Sequence, residues 1–213
     1  MEGSKIMEMA AVTEARRKSN NYTAKKFACF TGHRPNKLHG YDRNAYRPLV
    51  SQLTGRCEEI LRKYNLDGFI SGGAQGFDQL AFWSVKHVID QGNLIENLVY
   101  IPFFGQSDIW RPTGPFGQQD YDQMLLASTG VKIIAPEKPA DKRGIVQALY
   151  ARNHAMVDDS DLVIGLWAEP GDFRASNGGT AECLRYAIAQ GKQVLVLHYD
   201  TDYMLINAIE EIN

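Results

Sequence analysis

A basic excess, paired cysteines, long apolar runs and clustered metal ligands are all missing from this sequence of 213 residues. Each absence removes a class of protein. The formal net charge is -2. A protein that lives on duplex DNA ordinarily carries surplus lysine and arginine to displace phosphate counterions, so a nucleic-acid partner is not expected. The three cysteines, Cys29, Cys57 and Cys183, lie in strand-like or helix-like segments without CxxC spacing. That argues against a disulfide framework or a structural zinc site and predicts reduced packing residues in a reducing compartment. No stretch approaches the ~18 consecutive apolar residues of a membrane span, and no basic-then-apolar leader pattern is seen. A cytoplasmic protein without a membrane partner is the expectation. His39, His87, His154 and His198 show no HxxxH spacing and no accompanying carboxylate cluster, so no metal is expected.

What is present fits one globular domain. Hydrophobic residues make up 44% and charged residues 23% of the chain, enough apolar surface for a sizeable core and too little net charge for wholesale disorder. Residues 1–25 lack a sustained apolar stripe and read as a flexible N-terminal arm or marginal helix. From 26 to 213 short apolar runs alternate with longer amphipathic stretches, the pattern of βαβ units. Strands are expected at Phe27–Thr31, Gly68–Ser71, Leu98–Pro102, Val131–Ala135, Asp161–Trp167 and Gln193–His198. Helices are expected over about 44–64, after Gly76, over 145–158 and from near Gly178 to Ala189. The expected fold class is therefore α/β: a single Rossmann-like domain, its mainly parallel sheet flanked by helices on both faces. The polar and aromatic segment 103–118 is long for such a domain, and long loops often serve as lids or binding segments.

In an open parallel sheet, ligands bind outside the carboxyl ends of the strands, and four groups of residues fall there. After the first strand come Gly32, His33 and Arg34, a tight turn followed by a titratable ring and a fixed cation suited to phosphate or carboxylate. After the second comes Ser71-Gly72-Gly73-Ala74-Gln75-Gly76-Phe77-Asp78, a glycine-rich junction opening a helix, where free backbone N–H groups and the helix dipole attract anions. Asp78 there reads either as a ligand contact or as a helix cap. Arg152 and Asn153 sit on the helix before the strongest strand, where a surface ion pair is the alternative reading. Asn177, Gly178, Gly179, Thr180 and Glu182 form a second strand-to-helix junction able to cradle a phosphate. The first junction is neither a Walker A loop nor a GxGxxG fingerprint. Of Trp83, Trp110 and Trp167, core or cleft-wall roles are expected.

Taken in order, TGHRP, SGGAQGFDQLA, ARNHAMVDDSDLVIGLW and SNGGTAECLRYA resemble the SLOG superfamily of Rossmann-like domains, in particular its YspA/YpsA-related branch, over about Phe27 to His198. The resemblance implies a nucleotide-derived small molecule as partner, homo-oligomeric assembly and no cofactor. Three activities occur in the superfamily: sensing of nucleotide-derived signals, cleavage of nucleoside 5′-monophosphates by LOG phosphoribohydrolases, and single-stranded DNA binding by DprA proteins. In LOG enzymes an arginine and a glutamate form the catalytic pair, and Arg152 and Glu182 match them by position; the family's PGGxGT loop is represented here by Asn177-Gly178-Gly179-Thr180, one residue shorter. Binding of a nucleotide or nucleotide sugar ranks first, LOG-like hydrolysis second and DprA-like binding third.

Overall fold

Short β-branched and aromatic runs become strands in the computed structural model, which describes residues 25–213 together with Met7, Glu8, Ala11 and Val12. The expected arm, residues 1–25, otherwise lies outside the described residues. The strands are β1 (Phe27–Gly32), β2 (Gly68–Ser71), β3 (Glu96–Ile101), β4 (Gly130–Ile133), β5 (Leu162–Trp167), β6 (Gln193–Asp200) and β7 (Leu205–Ile212). The helices are α1 (Arg47–Tyr64), α2 (Phe77–Asp90), α3 (Gln118–Ala127), α4 (Lys142–Asp158) and α5 (Gly179–Ala189). One sheet forms in the order β4-β3-β2-β1-β5-β6-β7, parallel throughout except for the antiparallel pairing of β7 with β6. This is the α/β, Rossmann-like architecture that the alternating pattern predicts.

Burial on both faces explains why the central strands read as continuous apolar runs: all four residues of β2 and all six of β5 are buried, as parallel strands between helix layers must be. Alternate side chains feed opposite layers. Phe30 and Phe69 stack at 5.4 Å and pack with Leu49, Leu53 and Ile60 of α1 and Phe77 and Val85 of α2. Cys29, Ile70, Val163 and Val196 face the other way, onto Met156 and Val157 of α4 and Cys183, Leu184 and Ala187 of α5. The helix ends follow local chemistry: α1 closes at Asn65 in the left-handed region, φ 50°, and α4 opens on Asp141, whose carboxylate accepts from Gly144 N at 2.6 Å.

Two elements depart from the sequence reading. Helix α3 falls where a loop and a gap were expected, because only Tyr121, Met124 and Leu125 of its ten residues are buried, too few to stand out as an apolar stripe. Strand β7 escapes for a related reason. It is an edge strand with a single residue, Ile206, fully buried, and its Glu210 and Glu211 pair outward with Arg174 and Lys63, charges that also discourage edge-to-edge association. The stretch expected to be helical from residue 44 begins as a 3-10 turn over Asn44–Tyr46 before α1 proper.

All three cysteines are buried and unpaired, and burial pushes the Cys29 and Cys57 thiols up to about 12. A thiol-specific disulfide reagent at pH 8 is therefore expected to titrate none of them in the native protein and all three after denaturation, because only an accessible thiolate reacts. No helix among the described residues is long and apolar enough to cross a membrane.

Candidate functional site

The sheet reverses its direction of growth beside β1. The chain builds outward through β2, β3 and β4, then returns to lay β5 on the opposite side of β1, leaving a crevice between the loops that follow β1 and β5. A cavity of about 410 Å³ opens there, within the roughly 300–1,000 Å³ typical of small-molecule sites. Thr31, Gly32, His33 and Arg34 border it from the end of β1, with Asn36 and Lys37 from the next turn. Ala74 and Asp78 approach from the β2–α2 junction, and Trp167 with Asn177, Gly178, Gly179 and Thr180 from the β5–α5 junction. Helix α4 supplies Val146, Leu149, Tyr150, Arg152 and Asn153; the positions 146, 149, 150 and 153 share one face by helical spacing.

The N-terminus of α5 is left bare toward this space. Its cap residue, Gly178, has φ 111° and ψ 167° and offers no side-chain hydrogen bond to the first turn. A β-carbon at Gly178 or Gly179 would meet nothing within 4 Å. First-turn N–H groups have no intrahelical acceptor, and their dipole favours an anion. The loop before them is held from behind: Arg185 donates to Ser176 O at 2.6 Å and to Phe173 O at 3.1 Å.

Deeper in the cavity, Arg152 and Asp78 form a buried pair, with side chains only 4% and 9% exposed and Nη1 3.5 Å from Oδ2. Arg152 Nη1 also donates to Gly72 O, and Asp78 Oδ2 accepts from Ala74 N at 3.3 Å. Burial pushes the Asp78 carboxyl up, and the guanidiniums of Arg152 and Arg34 oppose the rise. Gly72 must lack a side chain here, because a β-carbon would overlap the Arg152 guanidinium. Asp78 therefore neither caps α2, whose cap residue Gly76 offers no side-chain hydrogen bond, nor stands free; it ties the β2–α2 loop to α4. The surface ion pair considered for Arg152 is replaced by a buried one.

His33 is 4% exposed. Its ring lies 4.9 Å from that of Trp167, its carbonyl accepts from Phe77 N at 3.1 Å, and its Nε2 is buried without a partner among the described residues. Burial lowers its pKa to about 4, Glu169 opposing and Lys37 reinforcing the shift, so the ring is uncharged at neutral pH. Lys37 and Glu169 pair with each other beside it. Arg34 is exposed at the rim.

Not every residue singled out from sequence reaches this cavity. Ser71, Gly72, Gly73, Gln75 and Gly76 lie behind its wall. Ser71 Oγ donates to Asp78 O at 2.8 Å, Gly73 sits against Met124 and Tyr121, Gln75 donates to Phe116 O at 2.8 Å, and Gly76 packs on His33 O and Pro35. Glu182 is absent from the lining as well: its Oε1 lies 2.6 Å from His154 Nε2, and the His154 ring stacks on Tyr186 at 3.7 Å. Arg152 and Glu182, which the resemblance would pair, thus have different partners: Gly72 and Asp78 for the one, His154 for the other. Segment 103–118 does not border the cavity either; Phe116 and Trp110 anchor it edge-on against Tyr46 and Tyr121, each at 5.2 Å. Its Pro115 and Phe116 instead line a larger groove, about 900 Å³, between α1 and α2. Asn36, Lys37 and Tyr150 were not foreseen as lining residues; the helical spacing of Tyr150 to Val146 and Asn153 was the available signal.

Comparison with known proteins places the chain in a family. The model of the YspA SLOG family matches residues 28–201. An uncharacterized SPbeta prophage-derived protein, YoqJ of Bacillus subtilis (strain 168), is 29% identical over 167 residues, covering 74% of this chain and 91% of YoqJ. Among solved structures, DNA processing protein A from Helicobacter pylori, described for its single-stranded DNA binding mode, is similar with a TM-score of 0.49 and 15% identity. That likeness covers 81% of this chain and 65% of the Helicobacter protein, so the chain spans just under two thirds of its length.

Proposed function

Since the chain belongs to the YspA SLOG family, we propose that it binds a phosphate-bearing nucleotide or nucleotide-sugar derivative in the cavity between β1 and β5, as a sensor or sequestering protein. The observation that carries this reading is the uncapped N-terminus of α5, where Gly178, Gly179 and Thr180 border an open cavity at the switch point of the sheet. Oriented N–H groups at such a terminus bind a phosphate without further modification, and Arg34 at the rim adds a fixed positive charge able to make charge-assisted hydrogen bonds.

Binding is favoured over turnover by the place of Glu182. Cleavage of an N-glycosidic bond builds positive charge on the sugar, which a carboxylate must face. Glu182 engages His154 through Oε1, its Oε2 is buried without a partner among the described residues, and the residue lies outside the cavity lining.

A thermal-shift screen against nucleoside monophosphates, ADP-ribose, NAD and cyclic nucleotides tests the reading, with chromatography of each ligand after overnight incubation. A ligand at a hundred times its Kd is expected to stabilise the protein by about 2.7 kcal/mol and to be recovered intact. Arg34→Ala is expected to weaken binding about tenfold, the equivalent of one charge-assisted hydrogen bond. Free base released by the native protein and not by Glu182→Ala would establish a hydrolase instead. Absence of any thermal shift would remove the binding reading.

A further inference from the structure

We propose that His33 is the specificity-determining residue of this cavity, its ring nitrogen reading a neutral sugar hydroxyl of the ligand while the N-terminus of α5 takes the phosphate. The inference rests on the reading that the ligand is a phosphate-bearing nucleoside derivative. It divides the cavity into an ionic part and a neutral part.

Position comes first. His33 directly follows β1, Trp167 ends β5, and Gly178–Thr180 open α5; all border one cavity. A single small molecule can therefore present an anionic group to the helix terminus and a second polar group to the imidazole. The His33 backbone is held by the hydrogen bond from Phe77 N to its carbonyl, and the ring packs against the Trp167 ring, centroids 4.9 Å apart.

Next is the unmet hydrogen bond. His33 Nε2 is buried and unpartnered among the described residues. Buried polar atoms nearly always find partners because an unmet one forfeits its hydration without return. A histidine serving only as core packing would be satisfied by a neighbour or replaced by an apolar ring. His33 borders the cavity, and its enclosed nitrogen is accounted for by a partner that comes with the ligand.

Charge decides what that partner is. Burial keeps the imidazole neutral at pH 7, leaving a single N–H or lone pair and no positive charge. Ionised phosphate oxygens are better served by the α5 terminus and by Arg34. A hydroxyl, which both donates and accepts, suits either tautomer of the ring. Sites built to bond a hydroxyl reject analogues that lack it, since the protein atom is then stranded again.

The test uses the full-length protein and isothermal titration with AMP, GMP, CMP and UMP, their 2′-deoxy and 3′-deoxy counterparts, and inorganic phosphate. For the best-bound ribonucleotide, one deoxy form is expected to bind wild type about tenfold more weakly, the worth of one neutral hydrogen bond and its stranded partner. His33→Phe, which fills the space without a hydrogen-bonding atom, is expected to bind the ribonucleotide about tenfold more weakly and to lose nothing further with that deoxy form. Its affinity for inorganic phosphate should equal that of wild type. His33→Gln, with a neutral amide in place, should recover part of the loss. Equal binding of ribo and both deoxy forms by wild type overturns the inference and leaves the proposed function standing, as does a His33→Phe protein that binds AMP, GMP, CMP and UMP as wild type does or loses phosphate affinity in proportion. If wild type binds neither phosphate nor any of these nucleotides, the inference is overturned, and the thermal-shift screen with ADP-ribose, NAD and cyclic nucleotides decides the proposed function separately.

Discussion

Arg152→Ala is expected to cost the native state about 3–5 kcal/mol, read as a lower midpoint of chemical denaturation at unchanged slope. The truncation leaves the Asp78 carboxyl with the single backbone donor of Ala74 at 3.3 Å and removes the donor to Gly72 O. Both side chains are largely buried, so the loss is only partly repaired by water from the cavity. Asp78→Ala should cost a similar amount by stranding the guanidinium, whose Nε already lacks a partner. The double variant Arg152→Met with Asp78→Leu should lose clearly less than the sum of the single changes, because apolar groups of similar volume carry no stranded charge. Glu182→Ala, at a half-exposed side chain, should stay within about 1 kcal/mol of wild type. A loss for Arg152→Ala no larger than that would mean that the guanidinium is not a clamp. The comparison also bears on any activity measurement: a drop in ligand binding by Arg152→Ala is interpretable only beside its stability.

Acid should weaken the fold through His33. The folded-state pKa of about 4 lies below the ordinary 6.5, so the unfolded chain takes up a proton between these values and the native protein does not. Stability contributed by keeping this ring neutral is complete above pH 6.5 and declines as pH falls toward 4, by about 3 kcal/mol in all. The sign follows from proton uptake by the unfolded state, which pulls the equilibrium toward itself. Other groups titrate over the same window, so the quantity to measure is the difference in unfolding free energy between wild type and His33→Phe at pH 6.5 and at pH 4. Wild type is expected to lose about 3 kcal/mol more than the variant across that window. At pH 7 the variant should be at least as stable as wild type, since it exchanges an unpartnered buried nitrogen for apolar carbon. Parallel pH profiles for the two proteins would show that the ring is charged or solvated in the native state.

The strands buried on both faces were legible because a parallel strand between two helix layers carries its signal in every residue. Helix α3 and strand β7 were not, because each buries a single narrow row and their polar positions break the periodicity. For the site, the segments after β1 and β5 could be placed on the cavity from glycine, charge and position at a strand end. The glycine-rich stretch after β2 carried the same local signal, but only Ala74 and Asp78 of it line the cavity. Gly72 is small because Arg152, 80 residues further along the chain, occupies the space its side chain would need. Glu182 likewise turns toward a histidine 28 residues away. Local sequence announces that a backbone must be approached closely; it does not say by what. The unmet nitrogen of His33 is the clearest case, because the residue type invites a binding role but the missing partner is visible only in three dimensions.

The bare start of α5 has a cost that falls on the whole molecule. A serine, threonine or aspartate in place of Gly178 is what a helix selected only for endurance would carry there, typically adding a few tenths of a kcal/mol over glycine. Such a residue would spend the first-turn donors on its own oxygen, and it would have to leave the φ of 111° that glycine adopts at that point. On the proposed reading, durability and occupancy therefore compete for the same few N–H groups. Variants chosen for heat resistance alone would drift toward a capped helix and an emptier, less receptive cleft, the familiar trade of function for robustness.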